Sequence, residues 1–414
     1  MRRLAFAFPY VLLLAAGGAV VTACGAIKAA DAVADPGPAD GETGEEEEEP
    51  GTSKDGSVSD DLDGSTTKKD ASKKDANDPV AEPCTEAVCP TDVIASGLHG
   101  PVAVAVNATH VFWIEVGSTI PGAGNYGQLI RLAKGTTCAD RSCFDVVDPL
   151  VLDGELEGRY IYNTFIALGA NDVCYTQTYN ASPGHTISCF ALTTLTKRNL
   201  VTGTGAAASL WVGATQARWA ISANGATRGE IRGRPLTGGT AQALVPLRPD
   251  PTSVTSDGTA LYWTEREAAG APKGNVAALR SDGGVAILAS DRAGPTSAKA
   301  HGGYLYWLEY SSKLVMRVRA DGTGTPETIA TTDANPFALV VDDSGVYWAS
   351  AGAAQTGSEG SVARAPLTPN GQKTTMMSNV RSIYDLAVDS TSIYITSVGA
   401  QLGQGRVLRM SKVR

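Results

Sequence analysis

The stretch Leu261-Tyr262-Trp263-Thr264-Glu265 decides the fold, because the chain repeats it. It returns as Leu305-Tyr306-Trp307-Leu308-Glu309, Val346-Tyr347-Trp348-Ala349-Ser350 and Val111-Phe112-Trp113-Ile114-Glu115. Weaker copies are Val173-Cys174-Tyr175-Thr176-Gln177, Ala217-Arg218-Trp219-Ala220-Ile221 and Ile393-Tyr394-Ile395-Thr396-Ser397. The anchors stand at 113, 175, 219, 263, 307, 348 and 395, so there are seven repeats, spaced by 62, 44, 44, 44, 41 and 47 residues. A period of that length marks a chain of stacked supersecondary units.

Each copy has similar flanks. Twelve residues before the anchor stands Pro101, Pro251, Pro295 or Pro336 in four copies. A short apolar run follows, such as Val102–Val106 or Phe337–Val341, and then a turn such as Ser256-Asp257-Gly258 or Asp342-Asp343-Ser344-Gly345. Beyond the anchor come a Gly-rich loop and a third β-run, such as Asn275–Leu279 or Lys313–Arg317. A second turn, such as Ser281-Asp282-Gly283-Gly284, leads to a fourth run, Val285–Leu288. The turns supply residues that tolerate positive φ. Four short strands in about 44 residues is the pattern of a β-propeller blade, whose faces are buried only by its neighbours. Helical repeats would need a 3.6-residue period, which is absent. The expectation is an all-β, seven-bladed β-propeller of four-stranded blades over 84–414.

The residues Tyr262-Trp263-Thr264-Glu265 resemble the YWTD repeat of the low-density-lipoprotein-receptor propellers, and the set as a whole is YWTD-like or NHL-like. The YWTD family has six blades where this chain has seven repeats. It also has Asp where this chain has Glu, Gln, Ile or Ser. The resemblance therefore implies architecture, not receptor function.

The ends of the domain predict how the ring closes. Thr91–Gly97 resembles the fourth run Val285–Ser290 and stands directly before the first inner run. Arg406–Met410 resembles a third run, and no fourth follows. The N-terminal strand 91–97 is therefore expected to complete the last blade, which removes two open edges. It would then begin on the face carrying the third-to-fourth-strand turns, and the second-to-third-strand loops would lie on the opposite face.

The residues before the repeats read as an address and a spacer. Arg2 and Arg3 precede an apolar stretch from Leu4 to Ala23, the pattern of a secretory signal over 1–23. Val21-Thr22-Ala23-Cys24-Gly25 resembles the lipobox of bacterial lipoproteins. That resemblance implies cleavage before Cys24, acylation of Cys24 and, with Gly25 rather than Asp next, a lipid-anchored place in the cell envelope at the outer membrane. The competing reading is an uncleaved membrane helix, which Pro9, Gly17 and Gly18 weaken. From 24 to 83 there is almost no aromatic or β-branched content. Glu45–Glu49 is an acidic run and Lys68-Lys69-Asp70 recurs as Lys73-Lys74-Asp75, so a disordered acidic tether is expected.

Charge and cysteine sort along the same boundary. The net charge is −9, but residues 25–83 hold 17 acidic and 6 basic residues, leaving 26 of each over 84–414. The acidity belongs to the tether, and nothing favours nucleic acid as a partner. Of the 7 Cys, Cys24 is the expected anchor. Three local disulfides are expected in an oxidising compartment: Cys84 with Cys89, Cys138 with Cys143, and Cys174 with Cys189. Zinc is the competing reading, and no His lies near the first two pairs.

Catalytic motifs are thin. His99, His110, His185 and His301 form no metal-binding spacing, and no phosphate loop or nucleophile elbow is present. Glu115, Glu265 and Glu309 share one repeat position and read as structural. No catalytic residue, metal or cofactor is assigned. The first repeat is the longest, and Tyr126, Tyr160, Tyr162 and Tyr179, with His99 and with His185, which follows Gly184 in an expected outer-face loop, are the candidate partner-binding residues, because Tyr gives large contact area at low entropy cost. The functional expectation is a monomeric, non-catalytic binding or scaffold module for a protein or glycan partner, held at the membrane by its N-terminal lipid. The alternative is a propeller-type lyase or hydrolase acting at the central mouth. Streptogramin lyases, which are seven-bladed, need a His and a metal there, and only His99 and His185 could serve.

Overall fold

The computed structural model describes residues 91–412 except 118–125, 140, 150–160, 163, 180–183, 225–226, 353–358 and 400–402. The expected signal, lipid-bearing Cys24 and tether fall outside the described residues. So do Cys84 and Cys89 of the first expected disulfide. Within the described residues lie seven antiparallel sheets. Blade 4 shows the plan: Asp250–Ser256, Leu261–Arg266, Lys273–Leu279 and Val285–Ala293 pair in that order from the axis outward. Blade 2 departs from it. Its inner strand is split into Ile161–Tyr162 and Ile166–Leu168, both paired with Asp172–Tyr179.

The inner strands abut one another around a ring. Pro101–Val106 touches Ile166–Leu168 on one side and Ile383–Val388 on the other, with Ala207–Val212, Asp250–Ser256, Pro295–His301 and Pro336–Asp342 between. The ring closes as the sequence predicts. Thr91–Leu98 pairs antiparallel with Gly405–Ser411, from Thr91 opposite Met410 to Leu98 opposite Gly405. The first described strand is the outer strand of blade 7.

The Tyr-Trp pair is the device that packs the ring. Successive side chains of a strand point to opposite faces, so the two aromatics of a blade serve two different interfaces. Trp263 joins a cluster with Ala208 and Ile231 of blade 3, whereas Tyr262 joins one with Ala298 and Leu305 of blade 5. Trp307 likewise packs back on blade 4 and Tyr306 forward on blade 6. Seven such clusters occupy the seven blade-to-blade interfaces. All five anchor tryptophans, Trp113, Trp219, Trp263, Trp307 and Trp348, are fully buried. Each removes on the order of 200 Å² from water, a gross gain of roughly 5 kcal/mol before entropy is charged.

Turn chemistry holds the first and second strands together. Asp257 Oδ1 accepts the N–H groups of Thr259 and Ala260, each at 2.8 Å, and Asp389 Oδ1 does the same for Thr391 and Ser392. The forward-facing Tyr262 and Tyr394 donate their hydroxyls to Asp257 and Asp389 at 3.0 and 3.1 Å. Burial, together with the neighbouring carboxylate, pushes both phenols up to about 12. Asp389 is held down at about 2, because Lys134 of blade 1 and two backbone N–H groups outweigh its burial.

A further repeat runs through the third strands. The residue paired three positions past the anchor is Gly127, Gly229, Gly274, Gly360 or Gly405 in five blades. A Cβ at Gly229 would lie 2.4 Å from Pro251 Cδ and 2.4 Å from Ile221 O, and one at Gly405 would lie 2.4 Å from Pro101 Cδ. At Gly229 and Gly405 the missing side chain admits the proline that opens the next blade.

Candidate functional site

The repeated acid is a structural latch. Trp263 Nε1 donates to Glu265 Oε2 at 2.8 Å, and Arg248 Nε donates to the same oxygen at 2.7 Å while its Nη2 reaches Oε1. Arg248 ends the outer strand of blade 3 (Gln242–Arg248), so the pair ties blade 3 to blade 4. Arg292, in the outer strand of blade 4, binds Glu309 of blade 5 at 2.6 Å, and Trp307 Nε1 donates to that carboxylate at 3.3 Å. Leu247 and Asp291 just before the two arginines have positive φ, 56° and 53°. That bulge turns the arginine off the sheet edge and onto the neighbouring blade. In blade 1, Glu115 takes Trp113 Nε1 at 3.4 Å, the His99 backbone N–H at 2.9 Å and Arg141 at 2.7 Å. Blades 3 and 6 have Ile221 and Ser350 at this position, and there the indole nitrogens of Trp219 and Trp348 have no partner among the described residues. Blade 2 reverses the arrangement: its anchor Tyr175 donates to Asp148 of blade 1 at 2.6 Å.

The sequence-predicted site residues are scattered by the fold. His99 lies between blades 7 and 1, half-buried beside Gly403. His185 is not on a loop. It sits in the third strand of blade 2, Gly184–Ala191, with 1% of its surface exposed. It occupies the register position that is glycine in five other blades, and Gly203 opposite gives it room, since a Cβ there would come within 2.8 Å of its ring. Its Nδ1 bonds Gly205 O at 3.1 Å, and burial lowers its pKa. A buried imidazole between blades 2 and 3 cannot meet a partner surface, and it is not brought together with His99. Tyr126, Tyr162 and Tyr179 belong by backbone to strands beside the second-to-third-strand and entry loops of blades 1 and 2. Their side chains, and the whole of Tyr160, lie outside the described residues.

Of the three expected disulfides, two are present. Cys138 bonds Cys143, and Cys174 bonds Cys189 across directly paired residues of adjacent strands. The third, between Cys84 and Cys89, falls outside the described residues, which begin at Thr91. The structure therefore supports the local pairing in blades 1 and 2 and leaves the pairing of Cys84 with Cys89 as an expectation from the sequence.

The sequence reading missed two charges on the axis. Away from strand ends, Lys299 and Asp385 are the acidic and basic residues of the described inner strands. Asp385 Oδ2 accepts the Val104 N–H at 3.0 Å, across to blade 1, and Oδ1 accepts the Leu386 N–H at 2.9 Å. Ser209 and Ser253 make the same lateral bridge to Val254 and Ala298 in the following blades. Lys299 keeps an open surface while burial among the surrounding blades lowers its pKa. Asp385 is pushed up to about 6 by burial, partly offset by the two N–H groups and by the charge of Lys299. Lys299 belongs to blade 5 and Asp385 to blade 7. With blade 6 between them, their charges meet through the central channel. Among the described residues no three His, Cys, Asp or Glu side chains converge as a metal site.

No protein-family model matches the chain. No curated protein matches it either. Solved structures do. Selenomethionine-substituted virginiamycin B lyase from Staphylococcus aureus aligns at 13% identity and TM-score 0.55, over 78% of this chain and 99% of that one. A streptogramin B lyase structure aligns at 12% identity and TM-score 0.54, over 79% and 100%. A nidogen/laminin complex aligns at 17% identity over 58% of this chain and 86% of that chain, with a TM-score of 0.39. At such identities the two lyases share the architecture with this chain, and what is shown for it is a seven-bladed, all-β propeller closed by its own N-terminal strand.

Proposed function

We propose that the protein is a cell-envelope lipoprotein, anchored through Cys24, whose propeller is a non-catalytic binding or scaffold module for a protein or glycan partner. The observation that carries this reading is the commitment of the repeated acids. Glu115, Glu265 and Glu309 are the recurrent ionisable residues of the motif, and each is buried under an indole and a guanidinium that hold neighbouring structure. A catalytic carboxylate must be free to meet substrate or exchange a proton; these three are spent on stability. Two disulfides in strands and turns support an oxidising compartment.

Thr91 starts its strand opposite Met410, at the end carrying the first-to-second and third-to-fourth-strand turns. A tether attached there leaves the opposite face, with the long connections of blades 1 and 2, directed away from the membrane. The expected partner surface is Tyr126, Tyr160, Tyr162 and Tyr179, with His99, on that face. Affinity capture from envelope extract, run with the wild type and with a Tyr126→Ala, Tyr160→Ala, Tyr179→Ala variant, tests the surface: a partner retained equally by both discards it. Fractionation of a Cys24→Ala variant tests the anchor, since a protein that stays in washed membranes is not held by lipid. Stoichiometric divalent metal in the purified protein would turn the reading toward an enzyme at the central mouth.

A further inference from the structure

Away from strand ends, Lys299 and Asp385 are the acidic and basic residues of the described inner strands around the axis. Lys299 pairs with Tyr306, the residue before the anchor. At the same level the other six inner strands carry Ala105, Ala167, Trp211, Thr255, Val340 and Ala387. Four of these are Ala or Thr, so the wall around the amine is built largely of short side chains. Among the described residues the Lys299 ammonium has neither a hydrogen bond nor an ion pair. It feels the Asp385 carboxylate, but the two are too far apart to touch. Asp385 pairs with Thr396, one residue past the anchor. The two groups are therefore two rungs apart along the axis, roughly 7 Å at the rise of a strand.

We propose that the axial channel is a binding site for a small zwitterion of the amino-acid class, its carboxylate on the Lys299 ammonium and its ammonium on the Asp385 carboxylate. Three N–H donors of Lys299 have no protein acceptor among the described residues, and because the side chain keeps an open surface they are free to meet a ligand oxygen in place of water. Each Asp385 oxygen already accepts one backbone N–H and has a lone pair left. A bare anion would satisfy Lys299 but meet repulsion from Asp385, and a bare cation the reverse. A molecule with both charges satisfies both groups and brings no net charge into a low-dielectric site. The depressed amine and elevated carboxyl pKa values go with this geometry, since no touching counter-ion offsets the neighbouring blades. This site stands apart from the loop surface proposed above, and neither depends on the other.

The test is calorimetric titration of the full-length protein with glycine, β-alanine and 4-aminobutanoate, which lengthen the spacer between the charges, and with acetate, methylammonium and inorganic phosphate as single-charge controls. The expected result is binding of at least one zwitterion and at least tenfold weaker binding of every control. Lys299→Met should weaken the zwitterion at least tenfold with the thermal midpoint unchanged, because its amine holds no part of the fold. Asp385→Asn, which can keep the acceptor for Val104, should weaken it similarly. Absence of zwitterion binding by the wild type overturns the proposal. So does equal binding of acetate, or a Lys299→Met variant that binds as the wild type does. If Asp385→Asn fails to fold, Lys299→Met with the spacer series decides alone.

Discussion

Arg248→Met should be among the costliest single changes at a residue that keeps some exposure. The side chain of Glu265 is 0% exposed and that of Arg248 is 19% exposed. Arg248 supplies two of the three hydrogen bonds that the Glu265 carboxylate receives from side chains, and the Trp263 indole supplies the third. Removing the guanidinium leaves a buried carboxylate on one neutral donor. Breaking a buried pair on one side costs about 3–5 kcal/mol, and water entering through the exposed fraction of the arginine site should bring the cost to about 3 kcal/mol. Glu265→Gln keeps an acceptor for the indole and loses only the charge, so about 1–2 kcal/mol is expected. In Arg248→Met/Glu265→Gln no charge is stranded, and the double variant should cost less than the sum by about 1 kcal/mol or more. The assay is urea unfolding of the four proteins, read as shifts in midpoint at constant slope. Lys273→Ala is the control: it breaks the Lys273–Asp291 pair, whose side chains are 60% and 69% exposed, for about 0.5 kcal/mol or less. An Arg248→Met cost no larger than that of the control, or additivity in the cycle, would refute the latch.

Three other outcomes follow from the same structure. Gly229→Ala puts a Cβ 2.4 Å from Pro251 Cδ and Ile221 O and should cost about 2 kcal/mol or more by overpacking, whereas Gly238→Ala in an open turn meets no atom and should lose stability only through its positive φ; equal midpoints for the two would contradict the inter-blade role. Replacing both Cys174 and Cys189 by Ala should lower stability by about 3 kcal/mol through the unfolded chain, and reduction of the wild type should reproduce most of that shift. Asp385 is raised to about 6 from 3.8, so the folded state holds its proton more tightly than the unfolded chain does. Stability from this group is present below about pH 4 and is lost as pH rises through 6, by at most about 3 kcal/mol. Asp385→Asn should therefore gain on the wild type between pH 4 and 7, and a flat difference across that window would show that Asp385 is not perturbed.

The blades were legible because their cause is local. A buried aromatic recurs in each repeat and Asx turns recur in several, and the Thr91–Leu98 closure follows from counting strands at the two ends. The latch was half legible: Glu115, Glu265 and Glu309 share a position, but Arg141 reaches Glu115 from a loop of its own blade where Arg248 and Arg292 come from the preceding one. His185 was misplaced because Gly184 looked like a turn. In fact Asp172–Tyr179 and Gly184–Ala191 are paired up to Tyr179 and Gly184, and the histidine lies inside the ladder. Lys299 and Asp385 stand in the sequence as single charges in two separate first-strand runs. Their meeting needed the ring, because 86 residues and a whole blade separate them along the chain.

The closure at blade 7 also sets an order in time. The strand Thr91–Leu98 is synthesised before every blade, and its partner Gly405–Ser411 comes last; the Asp92–Arg409 ion pair spans 317 residues. Until Gly405–Ser411 emerges the first strand has no mate, and blade 1 lacks a complete neighbour on its blade 7 side. Contacts of such long range carry a large loop-closure entropy and form slowly. The slowest folding step should therefore be the joining of the two ends. A nascent chain halted just short of Gly405 would hold six blades in an open arc with two raw flanks, a species that needs protection from its own kind.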